Sequence, residues 1–299
     1  MKHDCLQACI VLAALMSACQ TPTAPTERRM AVRDTTLAYR VQGSDGPPVV
    51  FVHGCCSDQR AWPVSLTALS AGRRIVTFDQ RYYGTATWSD RGERFSTETQ
   101  IEDLAAFVRG LGMGPVHLVG WSMSGSSILG VAIRHPQWVS SLFVYEPSVA
   151  SLITDPAEQK AAAEGRSAQM APVVAQVKAG DHAQALRLMM DGANGRPGTF
   201  EALPADFRAN QIENLRVLPL LFGAPAPPRI SCEQLAQVKV PAAIARGADT
   251  PVFYRLAADA AARCLGNAKA IVVPGASHMW PALEAQAFTG LLQGWLEGR

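Results

Sequence analysis

The chain contains no run of about 18 uncharged apolar residues, so nothing in it reads as a membrane-spanning helix. It has no C-x-x-C pair and no H-E-x-x-H, which removes the common patterns of a bound metal. Charge is scarce, at 17%, and the 27 Lys+Arg against 25 Asp+Glu leave only +2. With no basic stripe to follow a phosphate backbone, nucleic acid is not an expected partner. Aromatics are few (7%), and neither an internal repeat nor a low-complexity segment occurs. What is present is apolar: 48% of 299 residues are hydrophobic, far above a disordered composition. At roughly 100–200 residues per domain, this length fits one large domain or one domain with an insertion.

No charged residue separates Asp4 from Glu27. The interval holds Cys9-Ile-Val-Leu-Ala-Ala-Leu-Met16 and then Ser17-Ala18-Cys19, an apolar core too short to span a bilayer, ending in small residues. Residues 1–19 therefore read as an export signal. Leu15-Met16-Ser17-Ala18-Cys19 resembles a bacterial lipobox, which implies a lipid on Cys19, a membrane surface as partner and a periplasmic or membrane-anchored location. Simple secretion with cleavage near Ala18 is the alternative. Residues 20–29, with Pro22 and Pro25, read as an extended tether. Removal of the signal takes Cys5 and Cys9, and leaves Cys55, Cys56, Cys232 and Cys264 beyond the lipobox. An oxidising compartment permits a Cys232–Cys264 bridge, although sequence does not fix connectivity. Cys55 and Cys56, being neighbours, are poorly placed to pair with each other.

From about residue 30 apolar runs alternate with helical periodicity. Strands are expected at Thr36–Val41, Pro48–His53, Arg74–Phe78, Val116–Gly120, Ser140–Tyr145, Ala242–Arg246 and Ala268–Val273. Runs such as Val49-Val-Phe-Val52 are buried on both faces, which implies a mostly parallel open α/β sheet with helices on each side. Helices are expected at Ala61–Ala71, Glu98–Leu111, Ser124–Arg134, Val252–Cys264 and Ala282–Leu296. Residues 147–230 break the alternation. They read as helical, with Ala157–Met170 and His182–Met190 the clearest segments, so the core comprises 30–146 and 231–299 around a helical insertion.

Val116-His-Leu-Val-Gly-Trp-Ser-Met-Ser-Gly125 runs from a buried strand straight into a helix. A tight turn there needs small residues two before and two after its tip, and Gly120 and Ser124 flank Ser122 at those positions. A tip at Ser124 would put Trp121 and Ser122 in the crowded approach, so Ser122 is the expected nucleophile. Its base must be one of six histidines. His3 leaves with the signal, His117 lies within a strand, His135 is a helix length away, and His182 belongs to the insertion. His53 ends a neighbouring strand. His278, in the loop Val273-Pro-Gly-Ala-Ser-His278, has the reach an imidazole requires.

Phe51-Val-His-Gly-Cys55, Gly120-Trp-Ser-Met-Ser124, Val240-Pro-Ala-Ala-Ile-Ala-Arg-Gly247 and Gly275-Ala-Ser-His278 resemble, in order and separation, the α/β-hydrolase superfamily. Asp79-Gln-Arg-Tyr-Tyr-Gly84 resembles that family's D-x-R-G-x-G segment. The resemblance implies that 147–230 is a cap after the sixth strand. It also implies an oxyanion hole made by the backbone N–H groups of Cys55 and Met123. Most members place the triad acid in a G-x-x-Asp turn after strand seven; here that slot is Thr250, with Asp249 one residue early. Glu146, after the preceding strand, occupies the position used by some haloalkane dehalogenases and coelenterazine luciferases. Glu146 is preferred as the acid, with Asp249 the alternative.

A serine at the tip suits acyl transfer rather than the carboxylate chemistry of epoxide hydrolases and dehalogenases. The expectation is a cofactor-free serine hydrolase acting on a small or medium carboxylic ester. The insertion offers Met189, Met190, Phe200, Leu220 and Phe222, read mostly as its own core, with polar Asn210 and Asn214. Rival readings keep the same residues: an aminopeptidase, with Glu201 and Asp206 holding the substrate amine, a carbon–carbon hydrolase or a cofactor-free haloperoxidase. A non-catalytic ligand-binding module is the remaining rival.

Overall fold

In the computed structural model, which describes residues 26–62 and 64–297, apolar strand residues alternate between two cores. Val50 and Val52 face one and Val49 and Phe51 the other, as the two-residue pleat requires. The strands are β1 (Arg28–Val32), β2 (Thr35–Gln42), β3 (Pro48–Val52), β4 (Arg74–Phe78), β5 (Val116–Trp121), β6 (Val139–Tyr145), β7 (Ala242–Gly247) and β8 (Ala268–Val273). They form one sheet in the order β1-β2-β4-β3-β5-β6-β7-β8. The β1–β2 and β2–β4 pairs are antiparallel and the others parallel.

Helices α1 (Thr97–Leu111) and α2 (Ser124–Arg134) precede β6. Between β6 and β7 lie α3 (Pro156–Ala179), α4 (His182–Asn194), α5 (Thr199–Ala202), α6 (Ala205–Glu213), α7 (Leu218–Gly223) and α8 (Cys232–Leu235). The chain finishes with α9 (Val252–Leu265), α10 (Trp280–Leu283) and α11 (Ala285–Leu296). Helices α1, α2 and α9 pack on the face that holds Val50 and Leu118; α11 and the insertion cover the face that holds Phe51 and Phe143. The expected α/β architecture, mostly parallel with helices on both sides, is the one observed.

The differences from expectation have local causes. β1 is additional to the expected strands, and Arg28 and Arg29, expected in a tether, open it. Its two arginines hide the pattern: as an edge strand it pairs on one side only, and charge there blunts further pairing. The expected helix 61–71 is instead 3-10 turns at Gln59–Ala61 and Val64–Ser70. The expected 282–296 helix begins earlier and breaks at Glu284 into α10 and α11. α3 runs through Pro172, well past the expected Met170. Cys232 and Cys264 form a disulfide with Cα atoms 4.7 Å apart, tying α8 to α9. Tyr82, at the position of the first glycine in D-x-R-G-x-G, adopts φ +74°, the left-handed conformation that favours glycine there. The signal, the lipobox and Cys19 lie outside the described residues.

The sheet order reverses beside β3: β4 lies on one side of it and β5 on the other. The loops leaving the carboxyl ends of β3 and β5 therefore diverge and open a crevice, the usual ligand position in an open α/β sheet.

Candidate active site

Ser122 leaves β5 with φ +63°, a left-handed turn that costs an L-residue about 1–2 kcal/mol. Packing holds it there. A Cβ on Gly120 would lie 2.3 Å from Ile128 Cδ1 and 2.8 Å from Ser124 Oγ, and one on Gly54 would lie 3.2 Å from the Trp121 carbonyl oxygen. Ser124 is only 1% exposed; its hydroxyl accepts from Trp121 N–H at 2.9 Å and donates to Trp121 O at 3.0 Å. Ser122 is thus the tip, and Ser124 is the brace beneath it.

His278 Nε2 lies 2.9 Å from Ser122 Oγ, and its Nδ1 lies 2.7 Å from Glu146 Oε2. Glu146 follows β6 at φ +48° and is fully buried. Its Oε1 accepts from Gly247 N–H at 2.8 Å and its Oε2 from the Thr250 hydroxyl at 2.8 Å. Donors on both oxygens stabilise a carboxylate that burial alone would make prohibitive. With Glu146 accepting, the Nδ1–H tautomer is favoured, leaving Nε2 to receive a hydrogen bond from Ser122. Asp249 is elsewhere: its carboxylate is half exposed and pairs with Arg196 at 3.6 Å. Of the two candidate acids, the fold brings Glu146 to the imidazole.

The His278 loop is anchored from several sides. Tyr145 Oη donates to Ser277 O at 2.8 Å. Burial and the adjacent Glu146 charge push the Tyr145 hydroxyl far above its usual range, so it remains a donor. Ser277 Oγ donates to Asn194 O at 2.8 Å, and Met279 N–H donates to Asn194 Oδ1 at 3.0 Å. Tyr254 stacks on the imidazole with centroids 3.7 Å apart and planes inclined by 19°.

The other histidines lie outside this chain of contacts. His117 is held by Ser141 at 2.7 Å, His135 ends α2 and His182 starts α4. His53 is fully buried beneath the β3 loop: Nδ1 faces Gly54 O at 2.9 Å, Nε2 accepts from Gln80 N–H at 3.1 Å, and Gln80 Nε2 donates to His53 O at 2.7 Å. Burial lowers its pKa to about 4, so it is a neutral strut for the loop that presents Cys55. Cys55 and Met123 both line the cavity above Ser122, and neither amide donates to an acceptor among the described residues. The Cys55 and Cys56 thiols are free and 3.1 Å apart.

The cavity measures about 500 Å³ and is mostly apolar. Met189, Met190 and Phe222 line it, contrary to their expected place in the insertion's own core, whereas Phe200 and Leu220 do not. Asn210 and Asn214 clasp the insertion to the β3 loop. Their amides donate to Asp58 at 2.8 and 2.9 Å, and Asn214 Oδ1 accepts from Gly84 N–H at 2.8 Å. Glu201 pairs with Arg187 and Asp206 turns back to Phe207 N–H; both are exposed and neither reaches the cavity.

Sequence reasoning missed Thr250, His53, Gln80 and Asn194 as parts of the site. Thr250 had a signal, since a hydroxyl fills the usual acid slot while a carboxylate stands one strand away. Asn194 had none, because it contacts the His278 loop across more than 80 residues.

A family model described as "Alpha/beta hydrolase family" matches residues 49–290. The sn-1-specific diacylglycerol lipase ABHD11 of Mus musculus is 31% identical over 121 residues, covering 39% of this chain and 38% of that protein. The first curated relatives are likewise matched over less than half their length. Among solved structures, the esterase RhEst1 from Rhodococcus sp. ECU1013 has a TM-score of 0.72 at 22% identity, covering 91% of this chain and 98% of its own. A bromoperoxidase from Bacillus anthracis has a TM-score of 0.73 at 20% identity, covering 91% of this chain and 100% of its own. At these identities the structural likeness speaks for the fold. The family match spans the strand that ends at the elbow, the insertion and the His278 loop, and on it this chain belongs to the alpha/beta hydrolase family.

Proposed function

We propose that the protein is a serine hydrolase cleaving a small or medium carboxylic ester through an acyl-enzyme on Ser122. The carrying observation is the continuous contact from Ser122 through His278 to Glu146, at 2.9 and 2.7 Å, on the wall of an apolar cavity. In this reading Ser122 Oγ attacks the ester carbonyl as its proton passes to His278 Nε2. Glu146 holds the ring and stabilises the imidazolium. The N–H groups of Cys55 and Met123 receive the negative charge that develops on the carbonyl oxygen. Collapse returns the Nε2 proton to the departing alkoxide. Water, deprotonated by the same nitrogen, then cleaves the acyl-enzyme. The aminopeptidase variant loses its supporting feature, because Glu201 and Asp206 are exposed away from the cavity.

A fluorophosphonate probe followed by peptide mapping tests the assignment. Mass on Ser122 and turnover of p-nitrophenyl esters well above aminoacyl-nitroanilides are expected. A folded protein that takes no label would overturn it and favour the binding-module reading; label on Ser124 would move the nucleophile. Export with acylation of Cys19 belongs to the same proposal. The labelled protein should partition with membranes, and Cys19→Ser should release it; label already in the soluble fraction would refute the anchor.

A further inference from the structure

The cavity beside Ser122 has no carboxylate among the described residues that line it, and Arg166 of α3 is the lining residue with a permanent charge. A cation on an apolar wall is costly unless something answers it. Three other arginines of the insertion and α9 are answered within the protein: Arg187 by Glu201, Arg196 by Asp249 and Arg263 by Glu158. Arg208 and Arg216 of the insertion donate to backbone carbonyls. Arg166 differs. Among the described residues its hydrogen bonds leave Nη1 alone, for two neutral acceptors, Tyr254 Oη at 3.1 Å and Gln169 Oε1 at 3.3 Å. The remaining guanidinium donors meet no acceptor among the described residues.

The guanidinium is nevertheless held in place. Its carbon lies 4.8 Å from the centroid of Phe253 and 5.9 Å from that of Tyr254, so two rings of α9 support it. Tyr254 in turn stacks on His278. The positive group is therefore fixed relative to the imidazole rather than waving in solvent. A planar fork with free donors, set in a pocket whose described lining holds no carboxylate, is suited to a carboxylate ligand.

We propose that Arg166 binds a carboxylate carried by the substrate apart from its scissile bond, so that the substrate class is anionic acyl compounds such as half-esters of dicarboxylic acids or esters of carboxylated alcohols. This rests on the hydrolase reading for its chemistry, while the anion site itself stands on geometry. Specificity follows from desolvation: an uncharged analogue leaves Arg166 in the cavity without a counter-ion.

Two measurements on the full chain test the proposal. The first compares kcat/KM for p-nitrophenyl hemiglutarate with the uncharged pentanoate of equal acyl length, and for the butyrates of 4-hydroxybenzoate and phenol. In at least one pair the charged ester should be preferred by on the order of 10- to 100-fold, a preference that falls with salt. Arg166→Gln should abolish it and Arg166→Lys retain part of it. The second measurement, independent of turnover, is the thermal shift caused by benzoate against that caused by benzamide. A larger shift with benzoate, lost in Arg166→Gln, is expected. Ester turnover with equal charged-to-neutral ratios in wild type and Arg166→Gln, and no benzoate selectivity, would overturn the anion site while leaving the hydrolase standing. Benzoate selectivity without turnover would sink the hydrolase reading and support the anion site.

Discussion

On the proposed mechanism, Glu146→Gln is the sharpest perturbation, because an amide cannot satisfy the surroundings of that carboxylate in either orientation. Oε1 accepts from Gly247 N–H, and Oε2 accepts from Thr250 and His278. If the amide oxygen keeps its bond to Gly247, the NH2 faces His278 Nδ1, which must then accept. The imidazole proton moves to Nε2 and points at Ser122, so the base is lost. Reversing the amide restores the tautomer but sets NH2 against Gly247 N–H in a fully buried site, at about 1–3 kcal/mol. Removing the orienting acid of a comparable triad lowers kcat by about 10⁴-fold, or roughly 5 kcal/mol. A fall in kcat of on the order of 10³- to 10⁴-fold is therefore expected, with little change in KM, since Glu146 does not line the cavity. Asp249→Asn removes only a surface ion pair at 3.6 Å and should leave kcat within about twofold. Steady-state kinetics on a p-nitrophenyl ester, with melting curves to confirm folding, decide between them. Retention of more than a tenth of kcat by Glu146→Gln, or a larger loss in Asp249→Asn, would refute the reasoning.

The remaining predictions concern stability. Burial holds His53 at about 4 against 6.5 when unfolded, so its contribution is intact above pH 6.5 and lost as pH falls toward 4. At pH 4.5 the loss is on the order of 2–3 kcal/mol, and His53→Gln should lose that much less stability between pH 7 and 4.5 in urea titrations. Asp79, which burial raises to about 6, acts in the opposite sense, its protonated form favouring the fold below about pH 6. The wild-type-to-variant difference therefore carries the test; parallel pH curves would exclude the His53 assignment. The Cys232–Cys264 disulfide closes a separation of 32 residues, worth about 4 kcal/mol in the chain-entropy model. Cys232→Ser should lower the urea midpoint accordingly, and an unchanged midpoint would show that this bridge adds no stability.

The parallel strands were legible because strands buried on both faces are written as continuous apolar runs, and Val49–Val52 cannot be solvated on either side. The elbow was legible because steric crowding restricts both flanks of Ser122 to small residues, a local rule visible at Gly120 and Ser124. β1 was not, since an edge strand need not be apolar, and the break at Glu284 has no signal comparable to a proline.

Local chemistry thus narrowed the acid to two carboxylates, each following a strand beside the imidazole's loop, and preferred Glu146 to Asp249 only on the cost of an unpaired buried carboxylate. The choice lies in contacts across long separations. β6 and β7 pair in a register that points Glu146 at Gly247, Thr250 and His278, while Asp249 turns outward to Arg196. The same holds for Arg166, an ordinary helical arginine in one dimension, whose place over the rings of Phe253 and Tyr254, with no ion pair among the described residues, emerges only when α3 is laid against α9. Sequence alone determined which residues could do chemistry, through rules that act over a few positions. Only the tertiary structure decided which of them meet, because hydrogen bonds and ion pairs depend on ångström separations that packing, not proximity along the chain, establishes.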